Sequence, residues 1–346
     1  MPFELFADEP GHAALREYED QPIQSGQVRA KSLFSAVKHG TEFRGFQANT
    51  PDASDRYDRE WRLHMRGEPQ TGGFPKRLGN MCLAEVIETG ADVSAANIGD
   101  QIFGHFPVRE THTVDEKNVE IAPKNVSGET LVYADPAAVA VGGARDGNIR
   151  LGDRVAVFGL GAIGLMAAQV ARVCGARWVV AVDLFEKRRA AALRHGADLV
   201  LDPNEADIGF EVKKRTGKLG VDVAIETSGA SGALYDALRC TRFQGTVVST
   251  AYYNRPMEGL LFAGEWHRNR IQIRSSRSNS EPSLDYGWNF KRICGEALDL
   301  LVEGKLKADG LIDPVVPFKE VANAYMEMNA HPETAIKLGV DHTKSE

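Results

Sequence analysis

Residues 154–183 run through a short apolar stretch, a glycine turn, a helical stretch and a second apolar stretch. A parallel sheet with helices packed on its faces accommodates that succession. Arg154–Phe158 reads as a strand buried on both faces. It leads into Gly159-Leu-Gly161-Ala162-Ile163-Gly164, and a helix pattern rich in Ala, Leu, Met and Val continues to Cys174, where Gly175 is placed to end it. In such a turn the first glycine allows the tight bend, the second lets the backbone approach a pyrophosphate, and the third lets helix and strand pack closely. The helix N-terminus then offers free N–H groups and its dipole to the phosphates. Trp178–Val182 is the second strand, and Asp183 ends it, nineteen residues after Gly164. A carboxylate there accepts hydrogen bonds from both hydroxyls of an adenosine ribose and repels a 2′-phosphate, which favours NAD(H) over NADP(H). Lys187, Arg188 and Arg189 follow closely and can soften that repulsion.

Downstream the alternation continues. Helices are expected at Glu186–His195, Ile208–Thr216, Ala230–Cys240 and Trp288–Glu303. Strands are expected at Leu199–Leu201, Val221–Glu226, Thr246–Thr250 and Ile271–Arg274. This predicts an α/β fold, a doubly wound six-stranded parallel sheet in the order 3-2-1-4-5-6. Residues 1–143 instead carry short β-like runs, Val28–Leu33, Cys82–Thr89, Gln101–Phe106 and Thr111–Val114, punctuated by glycine and proline. We therefore expect a β-rich domain over 1–143, the nucleotide-binding domain over 144–308, and a tail over 309–346 whose last strand returns to the first domain. The polar stretch 45–73 reads as a lid or interface insertion, or as a plain surface loop.

Composition narrows the partners. With 346 residues, 43% hydrophobic content and a net charge of −7, the chain suits a two-domain globular protein and not a nucleic-acid or anionic-membrane binder. Four scattered cysteines fit a reducing compartment. Met1–His12 lacks a leader pattern and no stretch is apolar enough to span a bilayer, so a cytoplasmic location is expected.

Several segments together resemble the medium-chain dehydrogenase/reductase superfamily, the alcohol dehydrogenase-like proteins. They are Gly90-Ala-Asp-Val-Ser, Ile98-Gly-Asp-Gln-Ile-Phe-Gly104, Asp135-Pro-Ala-Ala-Val-Ala-Val141 and Leu151-Gly-Asp-Arg-Val ahead of the glycine turn. The resemblance implies a GroES-like β-rich catalytic domain, a Rossmann domain and NAD-linked hydride transfer. Where zinc enzymes of the family have Cys-x-[Ser/Thr]-Asp, this chain has His39-Gly-Thr41-Glu42; where they have Gly-His-Glu, it has Gly79-Asn80-Met81. The acidic position of the third segment persists as Asp135, and the lobe of four cysteines is missing. A catalytic zinc needs three firm protein ligands, so no zinc is expected. His64, His105 and His112 have no assigned place. Leu33–Glu42 and Gly264–Ser276 are closer to a zinc-lacking branch with bacteriochlorophyllide-type and sugar or polyol dehydrogenases.

Without a metal, hydrogen-bond donors or a cation must stabilise the developing alkoxide. The resemblance assigns Thr41 to the proton relay. Lys38 or His39 can supply the charge or the acid–base function, and Glu42 can orient either one. Thr227 and Ser228, after the fourth strand, fit a cofactor passage or a plain turn. Thr250, Ala251 and Tyr252 follow the fifth strand toward the nicotinamide, and Arg188 resembles the basic position beside the ribose. Trp266, His267 and Asp135 are candidate substrate neighbours, Trp266 and His267 equally candidates for packing or a dimer contact. The expected activity is zinc-independent, NAD-dependent oxidation of a secondary alcohol in a sugar, polyol or related compound. Alternatives are an NADPH-dependent quinone or enone reductase and a non-catalytic dinucleotide-binding redox sensor. A homodimer or homotetramer is implied by the same resemblance.

Overall fold

The structure, a computed structural model, describes residues 1–47, 56–65, 73–253, 257–277, 280, 282 and 287–344, without the side chains of His39, Thr41, Arg44 and Arg56. The N-terminal part carries β1 (Phe3–Glu9), β2 (His12–Glu17), β3 (Gln27–Ala36), α1 (His39–Phe46), β4 (Arg56–Asp58), β5 (Leu63–Met65), β6 (Lys76–Arg77), β7 (Met81–Thr89), β8 (Gln101–Gly104), β9 (Thr111–Asp115) and α2 (Gly128–Leu131). The ten-residue β3 is its spine: β7 pairs along one edge, and β9 runs antiparallel to its first half. Of the 45–73 stretch, β4 and β5 form a hairpin; residues 48–55 and 66–72 lie outside the described residues.

The second part begins with α3 (Ala134–Gly147), a helix that contains both residue 143 and residue 144. Its strands are β10 (Arg154–Phe158), β11 (Trp178–Val182), β12 (Leu199–Leu201), β13 (Val221–Glu226), β14 (Thr241–Ser249) and β15 (Gln272–Ser275). They pair in the order β12-β11-β10-β13-β14-β15, parallel throughout, as the alternating pattern predicts. Valine- and alanine-rich β10 and β11 are buried along nearly their whole length, as a sheet covered on both faces requires. The helices are α4 (Ala162–Val173), α5 (Glu186–Arg194), α6 (Ile208–Arg215), α7 (Ser231–Cys240), α8 (Glu265–Arg268) and α9 (Phe290–Val302). Helix α4 is buried from Gly164 to Ala171, between the sheet and α3. Its one buried polar side chain, Gln169, is satisfied by Lys307, donating to the carbonyl at 3.0 Å and accepting the N–H at 2.8 Å.

The tail adds β16 (Val315–Pro317), α10 (Val321–Ala330) and β17 (Gly339–Asp341). Strand β17 pairs antiparallel with Phe34–Ala36 of β3, so the chain end returns to the first part. Ala36, Met81, Leu83 and Phe103 share one continuous core with Val155, Leu165 and Ile225, so the two parts meet through buried apolar surface. A cleft opens at the edge of that contact, at the carboxyl ends of the parallel strands.

Candidate active site

The glycine turn forms one wall of the cleft. Gly159 adopts φ +80°, and a Cβ there would meet Ser228 at 2.8 Å. At Gly164 a Cβ would lie 1.8 Å from the Gly159 carbonyl oxygen, so helix and loop touch backbone to backbone. Gly161 is different: nothing lies within 4 Å of where its Cβ would be. The space in front of it is open and sits at the start of α4, where an anion is favoured. Thr227 clamps the turn from the neighbouring strand, its hydroxyl donating to the carbonyls of Gly159 (2.7 Å) and Phe158 (3.1 Å). Glu226, fully buried, accepts the Ser228 N–H at 2.7 Å and a hydroxyl bond from Ser228, fixing that turn in place.

Asp183 is 9% exposed at the end of β11. One carboxylate oxygen accepts the Leu160 N–H at 2.6 Å and the other the Phe185 N–H at 2.8 Å. Each oxygen keeps a lone pair for a further donor, which suits a ribose diol. The three following cations are engaged with the protein. Lys187 pairs with Asp313 at 2.6 Å, and Arg189 with Asp202 at 2.7 Å. Arg188 lines the cleft, but its guanidinium donates to the carbonyls of Ala335 (3.2 Å) and Pro332 (2.9 Å).

The cleft encloses about 590 Å³ and runs from Asp183 and the glycine turn to Lys38, Asn80 and Asp135. At that far end three side chains meet on one atom. Lys38 Nζ donates to Asp135 Oδ2 at 3.1 Å, and Asn80 Nδ2 donates to the same oxygen at 2.9 Å. His105 stands by, with Nε2 3.9 Å from Asp135 Oδ1 and Nδ1 3.3 Å from Asn80 Oδ1. Burial alone would raise the Asp135 carboxyl; the Lys38 ammonium, His105 and Asn80 outweigh it and hold the group below its ordinary value. The Lys38 side chain is 31% exposed and the Asp135 side chain 6%, so the anchor is buried while the ammonium reaches the cleft.

The sequence resemblance locates a metal at this same place, and the described donor set does not fit one. The single carboxylate is ion-paired to an ammonium, and the amide beside it also donates to it. Among the described residues no group of three His, Cys, Asp or Glu side chains converges.

Of the expected catalytic residues, Lys38 is in the cleft and Glu42 lies beneath it, with Oε2 accepting the Gly79 N–H at 2.8 Å. His39 and Thr41 belong to α1 by their backbone, and their side chains lie outside the described residues. Gly159, Gly161, Ala162, Ile163, Asp183, Arg188, Thr227 and Ser228 all line the cleft, with Gly164 packed directly behind them. Thr250 donates its hydroxyl to the Glu226 carbonyl at 3.0 Å, while Tyr252 is 59% exposed. Neither they nor Ala251 are among the residues lining this cleft. Trp266 and His267 sit on the short helix α8 beside α7, away from the cleft, with Trp266 edge-on to Phe262 at 5.0 Å. Lys337 was not singled out by the sequence reading, and His105 was named there only as one of three histidines without an assigned place. Lys337 had a visible signal, a lysine inside the apolar run Ala335–Val340. His105 had none.

Sheet order, glycine turn and bipartite cleft define the class, a dehydrogenase that couples a nucleotide-binding domain to a β-rich partner domain. Residues 162–290 match the family model described as "Zinc-binding dehydrogenase". The match runs from α4 through β15, and β10, Gly159, Gly161, Lys38, Asn80 and Asp135 lie outside it. The chain is 40% identical to D-guloside 3-dehydrogenase of Escherichia coli (strain K12), over 97% of its own length and 99% of the relative's. It is 28% identical to (R,R)-butanediol dehydrogenase of Bacillus subtilis (strain 168), over 69% of this chain and 72% of that one. Galactitol-1-phosphate dehydrogenase from Escherichia coli shares the fold with a TM-score of 0.78 at 19% identity, covering 98% of this chain and 99% of that one. The chain belongs to the medium-chain dehydrogenase/reductase superfamily of alcohol dehydrogenase-like proteins.

Proposed function

We propose that the protein is a zinc-independent, NAD-linked dehydrogenase that interconverts a secondary alcohol and a ketone on a sugar glycoside or a similar polyhydroxylated compound. The observation that carries the reading is the cleft itself, with a ribose-type carboxylate at one end and the Lys38–Asp135–Asn80 cluster at the other. The substrate class is supported by near full-length similarity to the D-guloside 3-dehydrogenase.

Gly161, the start of α4, Asp183 and Arg188 are the residues that would hold the cofactor. The nicotinamide, when bound, donates or accepts the hydride. Everything else falls to side chains. In the reducing direction Lys38, as ammonium, donates a hydrogen bond to the substrate carbonyl and then its proton to the oxygen as the C–H bond forms. The resulting amine recovers a proton from solvent. In the oxidising direction the amine form takes the hydroxyl proton. Asp135 keeps Lys38 aimed, and Asn80 fixes the carboxylate.

Two further expectations belong to this reading. The edge strand β15 pairs with β14, and Phe262, Trp266 and Ile273 around it are exposed, which supports a homodimer formed along that edge. No helix among the described residues is long and apolar enough to cross a membrane, and the four cysteines are unpaired, which supports a cytoplasmic setting.

The test is a cofactor titration with NADH and NADPH, followed by turnover with methyl glycosides, simple secondary alcohols and enones. NAD-linked oxidation of a glycoside supports the reading. Preferred use of NADPH with enone reduction refutes it, and absence of turnover across the whole panel favours a dinucleotide sensor.

A further inference from the structure

Two more charged side chains adjoin the Lys38–Asn80–Asp135 cluster, Glu42 beneath it and Lys337 in the cleft wall. Lys337, 1% exposed, donates from Nζ to the Val37 carbonyl at 2.8 Å. Glu42 accepts the Gly79 N–H at 2.8 Å on Oε2, and its carboxyl faces the Tyr325 hydroxyl. Val37 directly precedes Lys38, and Gly79 directly precedes Asn80. The two segments are tied to each other through the Asn80 N–H and the Ala36 carbonyl at 3.0 Å. Little slack exists around them, because Gly79 has φ +113° and a Cβ there would lie 2.4 Å from the Val108 nitrogen.

We infer that Lys337 and Glu42 are positioning residues for the reaction proposed above: each grips the backbone next to one arm of the cluster, so that the Lys38 ammonium and the Asn80 amide converge on a single oxygen of Asp135. The inference rests on that metal-free reading. Neither residue needs to touch substrate. Lys337 comes from the tail just ahead of β17, so the returning strand contributes to the site as well as closing the sheet.

The surroundings make this grip sensitive to pH. Glu42 faces Tyr325 of α10, Lys38, Lys337 and, from β6, Lys76. Burial pushes its carboxyl up to about 7, against the pull of the Gly79 N–H, Tyr325 and the two lysines. Lys337 faces Asp135, Glu42 and Lys38, with the Tyr133 ring 5.9 Å away. Burial pushes its ammonium down to about 8, with Lys38 adding to the fall and Asp135 and Glu42 opposing it. Glu42 therefore loses its charge toward acid pH sooner than an ordinary carboxylate, and Lys337 loses its charge toward alkaline pH sooner than an ordinary ammonium. In either direction one of the two charge-assisted bonds becomes a neutral one, roughly half as strong.

The test compares full-length wild type with Lys337→Met, Lys337→Arg and Glu42→Gln. Three quantities are read: NADH Kd, kcat and KM for methyl glycosides across pH, and the pH profile of Lys38 acetylation by acetic anhydride, followed by mass spectrometry. Wild-type kcat is expected to fall on both sides of neutrality. Lys337→Met should lower kcat by about a hundredfold, the scale expected for a misplaced catalytic group, while NADH Kd stays within about twofold. It should also change the pH profile of Lys38 acetylation. Lys337→Arg should recover most of the loss, and Glu42→Gln should remove the acid-side fall. Loss of turnover with an unmoved Lys38 profile overturns the inference, as does an unchanged kcat. A rise in NADH Kd alone would assign Lys337 to the cofactor and overturn it too. If wild type turns over no glycoside, the functional reading fails, and the acetylation profile still decides the positioning role. If Lys337→Met does not fold, the isosteric Glu42→Gln carries the test.

Discussion

Asp183→Asn offers the sharpest probe of the cofactor end of the cleft, because it changes charge and bonding with almost no change in shape. The native carboxylate accepts two backbone N–H bonds, from Leu160 at 2.6 Å and Phe185 at 2.8 Å, and is 9% exposed. Its two remaining lone pairs are the ones a ribose diol would use. Hydrogen bonds to a charged group are worth roughly 1.5–3 kcal/mol each. An amide keeps one oxygen and turns an NH2 donor against either the Leu160 or the Phe185 N–H. Losing one ribose bond and loosening the loop that carries Gly161 should together remove about 3 kcal/mol of NADH affinity, a rise in Kd of about a hundredfold. NADPH should respond differently. The substitution removes the charge that repels its 2′-phosphate, but Lys187, Arg188 and Arg189 are bonded to Asp313, Pro332, Ala335 and Asp202, so no nearby cation is ready to receive it. Its Kd should therefore move by less than about threefold, and the preference for NADH should shrink by more than about tenfold. Fluorescence titration of both reduced cofactors measures this directly. Equal weakening of both, or an unchanged ratio, would refute the assignment of Asp183 to the ribose.

Other substitutions separate packing from binding. Gly161→Ala places a methyl in open space at an ordinary φ, so the melting temperature should hold while NADH Kd rises by roughly tenfold or more. Gly164→Ala drives a Cβ into the Gly159 carbonyl and should lower the melting temperature itself. Asp135→Asn leaves the Lys38 ammonium without its buried counter-charge, and kcat should fall by about a hundredfold or more with NADH binding intact, as steady-state kinetics and titration would register. For Glu42 the folded state raises the carboxyl from 4.5 to about 7, so the unfolded chain ionises first and stability is lost as pH rises between those values. Denaturant titrations of Glu42→Gln should lack that fall, so the variant gains on wild type at pH 8 and not at pH 4.

The parts of this molecule that were legible in its sequence are those written in contiguous residues. The strand, glycine turn, helix and acid of 154–183 announce themselves locally, and the strand order follows from right-handed crossovers. The N-terminal hairpin was not anticipated. Glu4, the second residue of β1, is fully buried and bonded to Arg16 and Arg77, so a charge occupies an inward position and breaks the alternation that marks a strand. The catalytic end was legible only in pieces. Lys38, Asn80, Asp135 and Lys337 come from four separate segments; β7 and β17 both pair with the end of β3, and the first turn of α3 brings Asp135 to them. Spacing along the chain carries no trace of that convergence. His105 arrives at the same carboxylate from the loop after β8, with nothing around it in sequence to mark it.

The central claim is that an ammonium group does here the work a zinc ion does in metal-bearing members of the superfamily. Metal content measured against turnover on the same purified preparation tests it most directly. The account predicts full NAD-linked activity at a zinc content far below one ion per chain, unchanged by chelator and abolished by Lys38→Met. Activity that rises in proportion to bound zinc, reaching its maximum at one ion per chain, would contradict it.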